Sequence, residues 1–554
     1  ALVLFLATVQ TFAAPPEVSS LSPAGGQRGT SFVITAAGKL ATEDQWWCSA
    51  AGVSFGKTDK PAEWKVTIAP DAPSGPSLVV VHNQEGAASP LWFSIGTLPE
   101  TAETEPNDAW NEGHKLEKLP ITINGTLNKA HDVDGFRVPL QKGQTMAALV
   151  EAYTLGSMVD VMAHVVDPGG QRVHTSSDGR NLDPEFTFTA SQNGWHTIQL
   201  AGFPHPPTAN VAFTGGLSLV YRLHLSTGPV TTHAFPPVAS RQVHQAVQLH
   251  GIHSAKDTTH TIMPRDSQSS GDLLITELPN AFQPTQTVER KNAVPLTTET
   301  EPNNTAADAT PMERGLAVGI LQTKGDQDCY VITLKKGDKL GTRIWAKALG
   351  ARADLQLQIE DPAGKVIASN DDFQDQPDPE IQWTAASDGP HQIRIKSLMD
   401  EHGDSCHYVL EAQTAQPRIQ ATLSGKPAAV LETGKSTDLK ATIKRLHGHS
   451  NPLLLRAANL PPGVTAAEVE APAKTGEVTI QLKAAADVVS ASGPIELHLV
   501  EKENPAAITQ VQADLRGENL RGTSLLDRTP TIWLTVKGKP PPPISAPTPD
   551  SKKQ

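Results

Sequence analysis

The chain has 554 residues, a formal net charge of −13, 45 Pro and 42 Gly, with only 5% aromatic and 19% charged residues. That length exceeds what one core sustains, so roughly three to five domains are expected, and the density of chain breakers excludes long helices in favour of short strands joined by turns. The acidic balance, with no basic block beyond isolated pairs, excludes nucleic acid and an anionic membrane surface as partners, because both would repel it.

In chain order, residues 1–14 come first. The apolar run Ala1 to Val9 ends in Thr11-Phe12-Ala13-Ala14-Pro15, a small-x-small pattern suited to signal peptidase. It reads as a partial signal peptide that begins inside the targeting segment, since no Met and no basic stretch precede it. No other segment reaches the ~18 apolar residues of a membrane span, so a secreted or periplasmic location is expected. Residues 15–98 contain Leu21-Ser22-Pro23-Ala24-Gly25-Gly26, alternating strands, and Ala72-Pro73-Ser74-Gly75-Pro76 before Leu78-Val79-Val80-Val81. This stretch resembles an immunoglobulin-like domain of the IPT/TIG type.

Residues 101–227 and 297–415 are two copies of one module. Glu103-Thr104-Glu105-Pro106-Asn107-Asp108 recurs as Glu299-Thr300-Glu301-Pro302-Asn303-Asn304, Asp132-Val133-Asp134-Gly135-Phe136 as Asp326-Gln327-Asp328-Cys329-Tyr330, Asp167-Pro168-Gly169-Gly170 as Asp361-Pro362-Ala363-Gly364, and Asp183-Pro184-Glu185 as Asp378-Pro379-Glu380. Apolar residues alternate within each copy, as in Tyr330, Ile332, Leu334 and Leu355, Leu357, Ile359, which is the period of a strand with one buried face. Asp-Pro-x-Gly supplies the fixed φ and the left-handed position of a tight hairpin turn. Each copy is therefore expected to be a β-sandwich of about 120 residues.

Between the copies, residues 229–296 carry scattered His and Gln and fit either a small β domain or a long ordered connector. Residues 417–538, with Asn459-Leu460-Pro461-Pro462-Gly463-Val464 and the alternating sets Val478, Ile480, Leu482 and Ile495, Leu497, Leu499, are similar to immunoglobulin-like modules of exported bacterial proteins. The tail 539–554 is Pro-rich and polar and is expected to be disordered. The fold class is thus all-β: tandem β-sandwiches, jelly-roll-like and immunoglobulin-like, strung as beads.

The opening hexapeptide, the Asp-x-Asp-aromatic strand, the strand ending in Asp-Pro-x-Gly and the closing Tyr-x-Leu strand together resemble the bacterial pre-peptidase C-terminal domain, over a little under half of the chain. The resemblance implies a jelly-roll-like sandwich of the kind appended to secreted peptidases, similar to the collagen-binding modules of clostridial collagenases. It also implies Ca²⁺ as cofactor, held by Glu103, Glu105, Asn107, Asp108 and Asp134 in the first copy and by Glu299, Glu301, Asn303, Asn304 and Asp328 in the second. The chemistry agrees, because several hard oxygens within one turn of chain suit an ion that takes six to eight of them. One departure is that the relatives' strand aspartates lie three apart, whereas Asp132/Asp134 and Asp326/Asp328 lie two apart. Asn304 stands where the first copy has an acid, so the second site is expected to be the weaker. The alternative reading is that these acids are solvated caps of a linker.

Cys329 and Cys406 co-occur in the second copy while Gly135 and Leu219 stand at the matching places, which points to a disulfide that leaves Cys48 unpaired. Two buried free thiols are the other reading. Of the 19 histidines, His244, His250 and His253, with Asp257 nearby, and the pair His447 and His449 could bind metal; exposed loop histidines are the plainer reading. The sequence holds no Gly-x-Ser-x-Gly elbow, no His-Glu-x-x-His pair and no phosphate-cradling glycine loop. The expected function is therefore non-catalytic: adhesion, substrate binding or scaffolding against an extracellular polymer or protein surface. An accessory portion of a secreted hydrolase or peptidase is the alternative, and a peptidase of unfamiliar type within 229–296 or 417–538 a third.

Overall fold

The computed structural model describes residues 14–540 apart from 42, 61, 210–211, 255–258, 263, 265–271, 292–293, 375 and 517–524. The expected signal segment before Ala14, the tail beyond Pro540 and Asp257 therefore lie outside the described residues. The protein is all-β, a tandem of β-sandwich units. Among the described residues the helical elements are two 3₁₀ turns, Tyr153–Leu155 and Lys347–Leu349, and no helix is long and apolar enough to cross a membrane.

The two copies share one topology. In the first, a five-stranded sheet runs in the order Glu100–Ala102, Ile121–Thr126, Val220–Ser226, Thr145–Glu151, Glu185–Thr189, and faces a second in the order His114–Lys115, Asp134–Leu140, Gly194–Pro204, Val159–Val166, Arg172–Ser176. The second copy repeats both orders, with Gln327–Leu334 and Gly389–Ser397 in one sheet and Gly315–Ile320 and His407–Thr414 in the other. Tyr330, Ile332, Leu334, Leu355, Leu357 and Ile359, which alternate in sequence, meet in one buried core between the sheets.

The sequence landmarks turn out to be backbone caps. Asp167 Oδ1 accepts the N–H groups of Gly169 and Gln171, both at 2.9 Å, and Asp361 Oδ1 does the same for Ala363 and Lys365. Gly170 and Gly364 take the left-handed position at φ 85° and 78°. Asp183 accepts from the backbone of Ala152, Tyr153 and Thr154, and Asp378 from that of Ala346, Lys347 and Ala348. Each aspartate thereby closes a 3₁₀ turn whose N–H groups would otherwise be orphaned.

Residues between the copies form a small unit of two three-stranded sheets: Val230–Phe235, Gln245–Ile252, Thr259–Ile262 and Val238–Ala239, Thr285–Glu289, Leu273–Thr276. Ala234, Ala239, Val247, Ile262, Leu274 and Leu278 fill it. The flanking regions 17–96 and 418–537 each carry two facing sheets with their own cores. These units do not hang as separate beads. Trp533 of the C-terminal unit packs on Trp47 and His82 of the first, with ring centroids 5.5 and 4.6 Å apart. Trp92 Nε1 donates to the Leu526 carbonyl at 2.9 Å, and Arg516 donates to the carbonyls of Tyr153 and Thr154. Aromatic surface that a bead would leave wet is thereby buried, which closes the chain on itself. Lys539, at the start of the expected tail, still pairs with Val489.

Each copy uses the same outer sheet face to hold a neighbour, with opposite chemistry. In the first, Thr122, Asn124, Glu151, Arg222 and His224 form a buried polar network: Arg222 reaches Glu100 at 2.7 Å, His224 Nε2 lies 2.6 Å from Glu151, and Ser94 of the N-terminal unit donates to Glu151 at 3.0 Å. In the second, four of the five matching positions, Leu316, Val318, Trp345 and Val409, form an apolar cluster with Val238 and Val288 of the middle unit, while the fifth, opposite Leu316, is the acid Glu411.

The expected disulfide is absent: Cys48, Cys329 and Cys406 are all free. Strand alternation is the reason. Asp328 and Tyr330 point between the sheets, so Cys329 points to the opposite face beside Arg394, while Cys406 packs into the inter-sheet core. Titration of denatured, unreduced protein is accordingly expected to find three thiols; a count of one would contradict this geometry. Asp378→Ala, which strips three N–H groups of their acceptor, is expected to cost about 2–3 kcal/mol in denaturant melts.

Candidate metal centre

At the mouth of each copy, the opening segment lays two glutamates and an asparagine against the Asp-x-Asp strand. Glu103 continues the sheet, its N–H donating to the Asn124 carbonyl and its Oε1 accepting from Thr126 N at 2.7 Å; Glu299 repeats both contacts with Val318 and Ile320. The closing strand of the same sheet then presents a tyrosine. The Tyr221 hydroxyl lies 2.7 Å from Asp134 Oδ2 and 2.8 Å from Glu103 Oε2. Tyr408 lies 2.5 Å from Asp328, 3.5 Å from Glu299 and 2.8 Å from the Tyr330 hydroxyl.

Asp134 and Asp328 are fully buried. Burial first, and then the negative Glu103 or Glu299 beside it, pushes each aspartate far above the usual carboxylate range. One phenol proton cannot satisfy two carboxylates at once, so without a cation one acid of each pair keeps a proton. Gly125 and Gly319 make the approach possible, since a Cβ at either would collide with the tyrosine hydroxyl and the glutamate.

The outer part of the site differs between copies. In the first, oxygens of Glu105, Asp108 and Asp132 lie within 4.8 Å of one another, but the chain supplies its own donors. Lys129 Nζ sits 3.3 Å from Asp108 and 3.4 Å from Asp132, and the Asn107 amide donates to Asp134 Oδ1 and Glu105 Oε2, both at 3.2 Å. In the second, Glu299, Glu301 and Asp328 converge within the same 4.8 Å. There Asp328 Oδ1 and both amide atoms of Asn303 are buried without a hydrogen-bond partner, and Thr323 stands where the first copy has Lys129. Buried polar atoms left unpaired are costly, and a hard cation with oxygen ligands is the guest that this set fits.

The structure therefore brings together Glu103 with Asp134, Glu105 with Asn107 and Asp108, and Glu299 with Glu301, Asn303 and Asp328. It separates Asn304, whose Oδ1 accepts from Gln327 N at 2.9 Å and caps the strand. It adds Asp132 to the first cluster, and it places an internal cation where the expected stronger site was, which removes the basis for the expected order. The two tyrosines, Lys129 and the paired glycines were not foreseen as site residues, although the closing Tyr-x-Leu and the matched Gly125 and Gly319 are visible in the sequence.

The histidine sets fall elsewhere. His449 is buried and lies 3.0 Å from Glu501, and His447 lies 2.5 Å from Glu380, so each of this pair is engaged with a carboxylate rather than free in a loop. His244 and His253 are exposed, while His250 stacks on His233. A cleft of about 720 Å³ opens between the first copy, the middle unit and the second copy, lined by Glu151, Asp178, Arg180, Glu185, Lys347 and Arg352 among others.

No protein-family model matches the sequence, and no curated protein matches it. Among solved structures, the pre-peptidase C-terminal domain of collagenase from Bacillus anthracis is 11% identical, covering 21% of this chain and 100% of that one, with a TM-score of 0.17. SGBP-B of the Bacteroides ovatus mixed-linkage glucan utilization locus, in complex with a mixed-linkage heptasaccharide, is 8% identical over 73% of this chain and 75% of its own (TM-score 0.14). Immunoglobulin domains 1–4 of Sidekick-1 are 9% identical over 93% and 96% (TM-score 0.19). At these identities and TM-scores no property of theirs transfers to this chain.

Removing the internal cation tests the difference between the copies. Lys129→Met is expected to leave the fold intact and to add a second, first-copy calcium event in calorimetric titration; an unchanged titration would show that Lys129 does not block that site.

Proposed function

We propose that this chain is an exported, non-catalytic binding or scaffolding protein, with modules like the pre-peptidase C-terminal domain, and that Ca²⁺ orders the mouth of its second copy more strongly than that of its first. The observation that carries the reading is the second-copy cluster: three converging carboxylates beside Asp328 Oδ1 and an Asn303 amide that are buried and unpaired. Glu299, Glu301, Asp328 and the Asn303 carbonyl would hold the ion. Calcium would supply the positive charge that the buried acids otherwise lack, replacing the proton retained by the Glu299 and Asp328 pair.

The functional consequence lies in the joints. The opening segment of the second copy follows directly on strand Leu296–Thr298, which leads in from the middle unit. Fixing that segment fixes how the middle unit meets the sandwich. Loops borne by rigid sandwiches are then held in set relative positions, which is what binding an extended polymer or protein surface requires. A ligand that binds only the folded state stabilises it by about 2 kcal/mol at a concentration roughly twentyfold above its Kd, which a site at the tight end of the extracellular range, ~10⁻⁴ M, reaches at about 2 mM calcium.

Calorimetric titration and thermal melting with calcium and with chelator test the reading. Wild type is expected to bind calcium and to melt higher in its presence, and Glu301→Ala is expected to abolish the dominant event. A wild type that binds none, with a melting temperature that chelator leaves unmoved, would overturn it.

A further inference from the structure

Where the middle unit docks on the second copy, three imidazoles form one stack. His233 lies at the centre, with its ring centroid 4.0 Å from that of His407 and 4.8 Å from that of His250, and the planes within 14° and 17° of parallel. His233 and His250 are cross-strand partners in the middle unit, whereas His407 opens the closing strand of the second copy. The stack thus spans the joint. His233 is 5% and His407 2% exposed. In the first copy the position of His407 is held by Val220, which packs with Ala24, Leu155 and Trp92 against the N-terminal unit. The same docking position is apolar in one copy and titratable in the other.

We infer that the His250–His233–His407 stack is an acid-operated latch, which holds the middle unit on the second copy at neutral pH and releases it in acid. Parallel imidazoles at these spacings attract while neutral, and two positive rings stacked in a buried joint repel strongly. Little nearby can compensate. Among the described residues, the carboxylate paired with the stack is Asp404, 3.6 Å from His250 Nδ1 and 80% exposed, hence well screened. Thr232 offers a hydroxyl at 3.1 Å to His233 Nδ1, whereas Nε2 of His233 and of His250 and both ring nitrogens of His407 are buried without a hydrogen-bond partner. Phe235 meets His250 edge-on, and the charged side chains lining the cleft beside the stack from the second copy, Lys347 and Arg352, are themselves cations.

Burial, and then the neighbouring rings, lowers His233 well below the ordinary imidazole value; burial lowers His407 from 6.5 to about 4. A group depressed in the docked state contributes its full share above the free value and loses it as pH falls toward the docked one. The window is therefore pH 6.5 down to about 4. His407 alone favours release about thirtyfold more at pH 5 than at pH 8. One group in the joint works the other way. Burial, together with Asp272 of the middle unit, raises Glu411 to about 7, against the pull of Arg343 and Arg418 and with Glu380 adding to the rise. Its shift is as large as that of His407 and opposite in sign, so its protonation in acid tightens the joint and offsets the His407 share, leaving the wild-type response to His233.

Hydrogen–deuterium exchange of the full chain at pH 7.5 and 5.0, corrected for intrinsic rates, tests the latch. Protection of Val230–Phe235 and Gln245–Ile252 is expected to drop by about tenfold or more at pH 5.0 in Glu411→Gln, where the opposing acid is gone, while Gly75–Asn83 at the N-terminal joint keeps its protection. His407→Val in that background is expected to cut the drop by about tenfold or more; should it fail to fold, His407→Phe, which keeps a stacked ring that cannot charge, is expected to do likewise. Equal protection of Glu411→Gln at both pH values, or a folded Glu411→Gln/His407→Val or Glu411→Gln/His407→Phe double variant that loses protection as fully as Glu411→Gln alone, would overturn the proposal.

Discussion

A buried tyrosine hydroxyl shared between two acids is the constraint on which each repeat depends. Tyr221 comes from one sheet, Asp134 from the facing sheet, and Glu103 from the segment that leads into the sandwich; Tyr408, Asp328 and Glu299 repeat the arrangement. A charge-assisted hydrogen bond in a buried setting is strong when satisfied and costly when broken. This one point therefore pins the two sheets to each other and to the chain that precedes them. Gly125 and Gly319 are the backbone's concession to it.

Around that shared kernel the copies have diverged in how they complete their charges. The first draws on its own chain, through Lys129 and Asn107, and docks its neighbour through a buried network in which burial would raise Glu151 but His224 and Arg222 hold it down at about 2. Glu151 in that joint therefore stays ionised well below neutral pH. The second leaves its acids and Asn303 open toward an external cation and docks its neighbour through apolar surface and histidines. We read the first copy as self-sufficient and propose that the second responds to its surroundings.

Much of this was legible in the sequence, and the reasons separate what was from what was not. Period-two alternation at Tyr330, Ile332, Leu334 is a local signal, so strands and their buried faces followed directly. The recurring Asp-Pro-x-Gly and Asp-Pro-Glu motifs fixed the repeat; their role in capping turns explains why both copies retain them. What failed depended on facing across strands. Cys329 and Cys406 share a repeat, yet Cys329 faces outward from one sheet while Cys406, just before a strand of the facing sheet, packs between the two, a fact set by register rather than by co-occurrence. Lys129 reaches Asp108 from across a loop 21 residues away, a contact that counting acids does not reveal. The closure of the terminal units through Trp47 and Trp533 joins residues almost five hundred positions apart, beyond any periodicity.

The central claim is that the second mouth is built for a calcium-sized cation and the first is already neutralised from within. Crystals of the whole chain grown with terbium, a calcium substitute visible by anomalous scattering, test it directly. The account predicts an anomalous peak among Glu299, Glu301 and Asp328 at a terbium concentration that leaves Glu105, Asp108 and Asp132 beside Lys129 empty. A peak at the first mouth alone, or at neither, would contradict it.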